Sequence, residues 1–435
     1  MARRSISMQS KAHSPLFVRH AIVLGVLAAV IVGCGGSGPS TPSESSGTPS
    51  TAATPTPKGG DPNVIKIVSS LPQTGSANSQ IMTIVNGIKL AIDEVGGKVG
   101  DFTIKYEPWD DASPERGQWD SAVETANAHK AVADPDIMVY IGTFNSGAAK
   151  FSMPILNQAS LLMISPANTW PGLTKPGIGE ANEPATYRPS GKVTYYRVVP
   201  TDELQGTVAA QWANEMGCKR VYLLHDRELY GKGVATMFEK AAKELGMELE
   251  GPEGIDPKAA NYRSLATKIK QTNPDLVYFG GTTQTNAGQI AKDLRAAGVT
   301  AKFMVPDGCF EDAFIQAAGA ENVEGNTFIT FGGLPADKLT GKGAEYYENY
   351  KKKYNSEPQA YSAYGYECGR AALEAIRIAG KKDRAAIAEA CGKIKDFDGL
   401  LGKWSFDENG DITMKTLSGN IVKNGKFEFA KILGQ

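Results

Sequence analysis

Residues 137–169, IMVYIGTFNSGAAKFSMPILNQASLLMISPANT, decide the fold. Residues 137–141 are a short apolar strand, 146–158 read as a helix and 161–164 as a second strand. The alternation continues outward in both directions. Upstream, 64–68 is a β-branched run, and in 79–95 Ile81, Ile84, Val85, Ile88, Ala91 and Ile92 recur at helical spacing on one face. Residues 102–106 are strand-like and 116–132 helical. After 195–199 the pattern restarts, with helices predicted over 204–216, 231–245, 262–271 and 284–297 and strands over 221–224, 275–279 and 303–305. Residues 338–354, 360–379 and 384–393 read as further helices. From Gly402 the tail is hairpin-like, with turns at Asp407-Glu-Asn-Gly410 and Lys423-Asn-Gly425. Strand–helix alternation means parallel sheets covered on both faces, and two such runs predict an α/β chain with two doubly wound lobes.

Length agrees. Residues 61–435 exceed what one hydrophobic core usually organises, so two domains are expected. Residues 1–34 read as an export signal. Arg3, Arg4, Lys11 and Arg19 precede the uncharged run 21–32, which is too short to span a bilayer of about 30 Å. Ile31-Val32-Gly33-Cys34 resembles the lipobox of bacterial lipoproteins, whose cysteine takes a diacylglycerol and becomes the new N-terminus. That resemblance implies lipidation of Cys34 and an extracytoplasmic protein of the cell envelope, anchored to the membrane. Residues 35–60 are almost wholly Gly, Ser, Thr, Pro and Ala and are expected to form a disordered stalk.

Composition excludes several function classes. Without the signal the chain carries 42 Lys+Arg against 47 Asp+Glu, a formal charge of −5, which offers no basic surface to nucleic acid. His129 and His225 are the histidines beyond the signal, and Cys218, Cys309, Cys368 and Cys391 show no CxxC spacing. No metal or cofactor is expected. There is no GxSxG elbow, P-loop or post-strand GxGxxG, and an enzyme is not expected.

In sheets of this kind, ligands sit beyond the carboxyl ends of strands, where loops lead into helix N-termini. Five such loops carry suitable polar groups: Gly142-Thr-Phe-Asn-Ser-Gly147, Ser165-Pro-Ala-Asn-Thr-Trp-Pro171, His225-Asp-Arg-Glu-Leu-Tyr-Gly231, Gly280-Gly-Thr-Thr283 and Pro306-Asp-Gly308. Ser146, at a helix start, either offers its hydroxyl and free N–H groups to a carboxylate or phosphate or is a plain cap.

These loops, together with Leu71-Pro72, Thr74-Gly75, Asn86-Gly87, Asp110-Asp111-Ala112 and Tyr278-Phe-Gly-Gly281, resemble in order the leucine/isoleucine/valine-binding proteins. Those are the type I solute-binding components of ABC importers, and the resemblance spans residues 64 to about 430. It implies the type I periplasmic binding protein fold: two Rossmann-like lobes joined by a three-segment hinge near Pro200, Gly333 and Lys415. Lobe I would comprise 61–199 and 334–414, and lobe II 200–333 and 415–435. Ser146 matches the serine whose hydroxyl and amide meet an α-carboxylate. Thr169 matches the threonine reaching both carboxylate and ammonium, and Ala167 the residue whose carbonyl accepts from the ammonium. Tyr230 matches a tyrosine that closes over the ligand, and Asp307 an acid that pairs the α-ammonium. Gln80 and Thr282 stand where relatives carry aromatic residues in the side-chain pocket, which makes that pocket more polar or roomier.

Residues 175–192 exceed the family pattern and are expected near the cleft mouth, where Tyr187 or Arg188 adds contacts or the loop is a surface ornament. Ser113 and Asn145 replace the family's disulfide. Cys368 and Cys391, on successive helices, would bridge or remain free buried thiols. The implied function is capture of an amino acid, branched-chain or related, by hinge closure and its delivery to ABC permease subunits. The alternatives are a ligand-sensing receptor component of the same fold, or a binding protein for short amides, urea-like compounds or aromatic acids.

Overall fold

Val64–Leu71, Ile137–Gly142 and Leu162–Ser165 are buried along almost their whole length, as strands covered by helices on both faces must be. The computed structural model, which describes residues 59–434, builds two sheets from such strands. The expected export signal with Cys34, and the stalk up to residue 58, lie outside the described residues.

The first sheet runs in the order Lys98–Val99, Phe102–Asp110, Val64–Leu71, Ile137–Gly142, Leu162–Ser165, Tyr195–Arg197, parallel apart from the short first strand. The second runs Glu248–Gly254, Arg220–His225, Leu276–Gly280, Lys302–Val305, Thr327–Gly332, all parallel. Leu417–Lys423 and Lys426–Leu433 then extend it antiparallel. The chain leaves the first sheet after Tyr195–Arg197 for helix Asp202–Glu215, which packs on helix Leu229–Glu244 of the second. It returns after Thr327–Gly332 to helix Ser362–Ala379, which packs along helix Asn78–Glu94 on the first. A third passage leads into Leu417–Lys423. The architecture is therefore two doubly wound α/β halves connected by three strands of chain.

Local differences from the sequence reading have physical causes. The helix expected from 116 begins at Ser121, because the Asp120 carboxylate caps the Ala122 N–H at 2.8 Å. The preceding residues instead form a small ladder, Ala112–Ser113 with Gln118–Trp119. Glu248–Gly254 was not foreseen as a strand; its charges and proline suit an exposed sheet edge. The tail turn at Asn424-Gly425 has φ of 53° and 67°, the paired left-handed geometry that a two-residue hairpin requires.

Of the two alternatives for Cys368 and Cys391, the structure has the free thiols and not the bridge. All four cysteines of the described residues are free and buried. Cys368 and Cys391 sit in the apolar packing around helices Ser362–Ala379 and Arg384–Gly392, where a thiol behaves as a small hydrophobe. No helix of the described residues is long and apolar enough to cross a membrane.

Candidate functional site

The loop after Leu162–Ser165 is shaped by its own sequence. Ser165 Oγ accepts from the N–H groups of Ala167 (3.1 Å) and Asn168 (2.9 Å), which folds Ser-Pro-Ala-Asn-Thr into a tight turn. The Asn168 amide donates to the carbonyls of Thr143 and Phe144, each at 3.0 Å, and ties this turn to the loop carrying Ser146. Arg197 holds the turn from beneath. Fully buried, it donates to the carbonyls of Asn168 (3.1 Å) and Trp170 (2.7 Å) and pairs with Asp411 at 2.7 Å. Burial pushes the Asp411 carboxyl up, but Arg197, Lys175 and the Thr174 hydroxyl together outweigh burial and hold it below the usual carboxylate range.

Ser146 opens helix Ser146–Gln158, and its Oγ accepts from the Trp170 N–H at 3.3 Å. The N–H groups of Ser146 and Gly147 have no acceptor among the described residues, so the positive end of this helix is available to an anion.

The second half contributes an acid. Asp307 follows strand Lys302–Val305 and is 3% exposed. Its carboxylate accepts from Gln205 Nε2 at 2.9 Å and from the hydroxyls of Tyr230 and Tyr361. Burial still raises its pKa, against the opposing pull of those three donors. Gly308 permits the approach: a Cβ there would lie 2.9 Å from Thr282 Cγ2 and 3.0 Å from the Tyr230 ring.

Ser146, Ala167, Tyr230, Thr282 and Asp307 line one cavity, together with Phe144 and Tyr361. Its volume of about 20 Å³ holds a water or two rather than an amino acid. A second cavity of about 10 Å³ shares Asn145, Tyr230 and Thr282 and reaches Gln118 and Asp226. Contacts between the halves surround both. Arg116 pairs with Glu228 at 3.3 Å, Tyr361 reaches Asp307, and the Trp170 ring lies where a Cβ on Gly233 would be 2.4 Å away.

Two expected residues are buried outside these linings. Thr169 is 2% exposed and its hydroxyl has no fully formed bond; Gln80 is 1% exposed and neither of its amide atoms has one. Tyr187 and Arg188 of the 175–192 loop also line neither cavity. Tyr187 donates to Glu183, which also accepts from Trp170 Nε1 at 2.9 Å, and Arg188 donates to the Asn409 carbonyl.

Sequence reading missed Tyr361, Gln205, Asp226 and Asp202. Asp202 opens the helix after the first passage and is fully buried, with no bond of full hydrogen-bond geometry on either carboxylate oxygen. Burial pushes its pKa well up and the like charge of Asp307 pushes further, against the pull of the Thr169 hydroxyl. Burial takes Asp226 up to about 7. The available signal was the pair Asp202 and Gln205, two polar residues on the buried face of a short helix that begins where the chain changes sheets.

The sequence profile of the periplasmic binding protein family matches residues 64–426. The Leu/Ile/Val-binding protein homolog 1 of Brucella suis is 30% identical over 345 residues, covering 78% of this chain and 85% of the relative. The leucine binding protein LivK of Thermotoga maritima, a crystal structure, matches with a TM-score of 0.75 at 26% identity, over 85% of this chain and 99% of that one. The branched-chain amino acid transporter substrate binding protein LivJ of Streptococcus pneumoniae, in complex with isoleucine, matches with a TM-score of 0.73 at 25% identity, over 85% and 99%.

Proposed function

This chain belongs to the periplasmic binding protein family, and on that premise we propose that it captures an α-amino acid, branched-chain or related, between its two halves and delivers it to the permease of an ABC importer. The observation that carries the reading is one cavity lined by Ser146, at a helix N-terminus of the first half, and by Asp307 of the second. A zwitterion needs donors at one end and acceptors at the other, and charge-assisted bonds at both ends offset its desolvation. Ser146 and the helix N–H groups would take the carboxylate. Asp307, the Ala167 carbonyl and Thr169 would take the ammonium, with Tyr230 closing over it. Gln80 and Thr282 would face the side chain.

The lobes are residues 61–199 with 334–414 and 200–333 with 415–435, hinged at the three passages. The cavity is too small for the ligand as it stands, so entry requires the lobes to part and the Tyr361–Asp307 bond to open. Rebinding around the ligand replaces those interlobe contacts, and ligand thereby favours closure by its differential contacts. Lipidation at Cys34 would hold the body at the outer face of a membrane, within reach of the permease.

The test is a thermal-shift screen of the protein against the L-amino acids. Leucine, isoleucine or valine, or a close relative, is expected to raise Tm; a ligand at a hundredfold excess over its Kd adds about 2.7 kcal/mol of stability. No shift with any amino acid would overturn the reading.

A further inference from the structure

Another cavity lies apart from the one lined by Ser146 and Asp307. It is a groove of about 700 Å³ whose walls come from both halves. Phe310, Glu311 and Ile315 follow Asp307 along the chain, and Phe427 comes from the terminal hairpin. Tyr347 and Gln359 face them from the segment that returns to the first sheet.

The groove's charges are uneven. Asp337 pairs with Lys338 at 2.9 Å, and Glu357 lies 4.0 Å from Lys351. Glu311 has no cation. It is 2% exposed; its Oε1 accepts from Gln284 Nε2 at 2.7 Å, and the Thr283 hydroxyl also favours its charged form, while Oε2 has no donor in full hydrogen-bond geometry. Gln359 Oε1, on the opposite wall, is also buried without a partner. Asp312 adds a second, exposed acid, and Lys426 is the base in the lining. Two acceptors without a fully formed bond, beside Phe310, Phe427, Tyr347 and Ile315, call for a ligand that brings donors and positive charge on an apolar body.

We propose that this groove is a second binding site, distinct from the cleft, for a small organic cation: a primary ammonium carried on an aryl or alkyl chain. The ammonium donates to Glu311 and Gln359, and the chain lies against the aromatic walls. Both halves supply walls, so an occupant links them. Its site also joins the cleft through the chain: Asp307 lies four residues before Glu311, and Tyr361, which bonds Asp307, two residues after Gln359. Occupancy therefore favours the arrangement in which the halves meet, and by linkage tightens whatever the cleft holds.

The test is calorimetry on the full chain with 2-phenylethylammonium, with neutral 2-phenylethanol as the matched control. The amine is expected to bind, and the alcohol to bind weaker by about tenfold or more, the loss that follows when a buried charge is left unpaired. Glu311→Gln should remove that preference. Gln316→Lys, an exposed change in the same lining, should weaken the amine while leaving the fold intact. Asp307→Ala, which removes only a contact between the halves, should weaken the amine less than Glu311→Gln does. Equal binding of amine and alcohol overturns the proposal, as does absence of binding. So does an amine whose affinity falls with Asp307→Ala but not with Glu311→Gln or Gln316→Lys, since it then sits in the cleft. Loss of amino-acid binding with the amine site intact would sink the cleft reading alone.

Discussion

Asp202 and Asp307 differ in a way that assigns them different work. Asp307 has three donors, whereas Asp202, equally buried, has only the Thr169 hydroxyl beside it, with no bond of full hydrogen-bond geometry on either oxygen. A carboxylate left unpaired in the interior destabilises the protein that carries it unless it is protonated or a cation arrives. Asp202→Asn is therefore expected to raise the Tm of the ligand-free protein at pH 8 and to weaken amino-acid binding by about tenfold. A variant that loses Tm and keeps its affinity would show that Asp202 is structural. The Thr169 hydroxyl, beside Asp202 but without a fully formed bond, is a buried donor and acceptor whose geometry a ligand would complete.

At the scale of elements, the loop that presents Ala167 and Thr169 depends on Arg197, which is bonded to two of that loop's carbonyls and to Asp411 on the way into the third passage. Removing one partner of a buried pair costs more than the pair itself contributes. Arg197→Met should lower stability by about 3–5 kcal/mol, read as a fall in the urea midpoint. Restoring much of it with Asp411→Leu in the same chain would confirm that the orphaned acid is the cause; an unchanged midpoint for Arg197→Met would contradict the brace.

Much of this was legible. Helix Ser146–Gln158 is where apolar runs on either side and an Asn-Ser start place it, and the Ser165 turn follows from a serine two residues before an alanine it can reach. Tyr361 and Asp202 were not legible, because their role arises from meeting Asp307 across more than fifty positions of sequence in each direction. The strand Thr327–Gly332 was missed although its Thr-Phe-Ile-Thr-Phe run is β-branched and aromatic, a signal the residues do carry. For Cys368 and Cys391 the sequence left bridge and free thiols both open, because placement on successive helices is compatible with either.

The whole molecule carries an unusual load of buried acid. Burial pushes Glu124, Asp226, Glu311 and Glu367 up to about 7. A carboxyl whose folded pKa lies above its unfolded value stabilises the fold below about pH 4 and loses that contribution as pH rises towards 7. The depressed carboxyl of Asp411 titrates below this window. His225, lowered from 6.5 by burial and by Lys232 and Arg227, opposes the trend but is a single group. The ligand-free protein should therefore melt at a higher temperature at pH 5.5 than at pH 8. A Tm that rises steadily over that range would refute the buried-acid account.

The account as a whole rests on recognition of both ends of a zwitterion by groups from opposite halves. Its most direct test is calorimetric titration with the amino acid that gives the largest thermal shift, beside its analogues lacking either the amino or the carboxyl group. Both analogues are predicted to bind at least about a hundredfold more weakly, the loss expected when a site built to hydrogen-bond a group meets a ligand without it. Asp307→Ala should weaken the parent amino acid while changing little for the analogue that has no ammonium. An analogue without its ammonium that binds as tightly as the parent would contradict the role of Asp307 and, with it, the central claim.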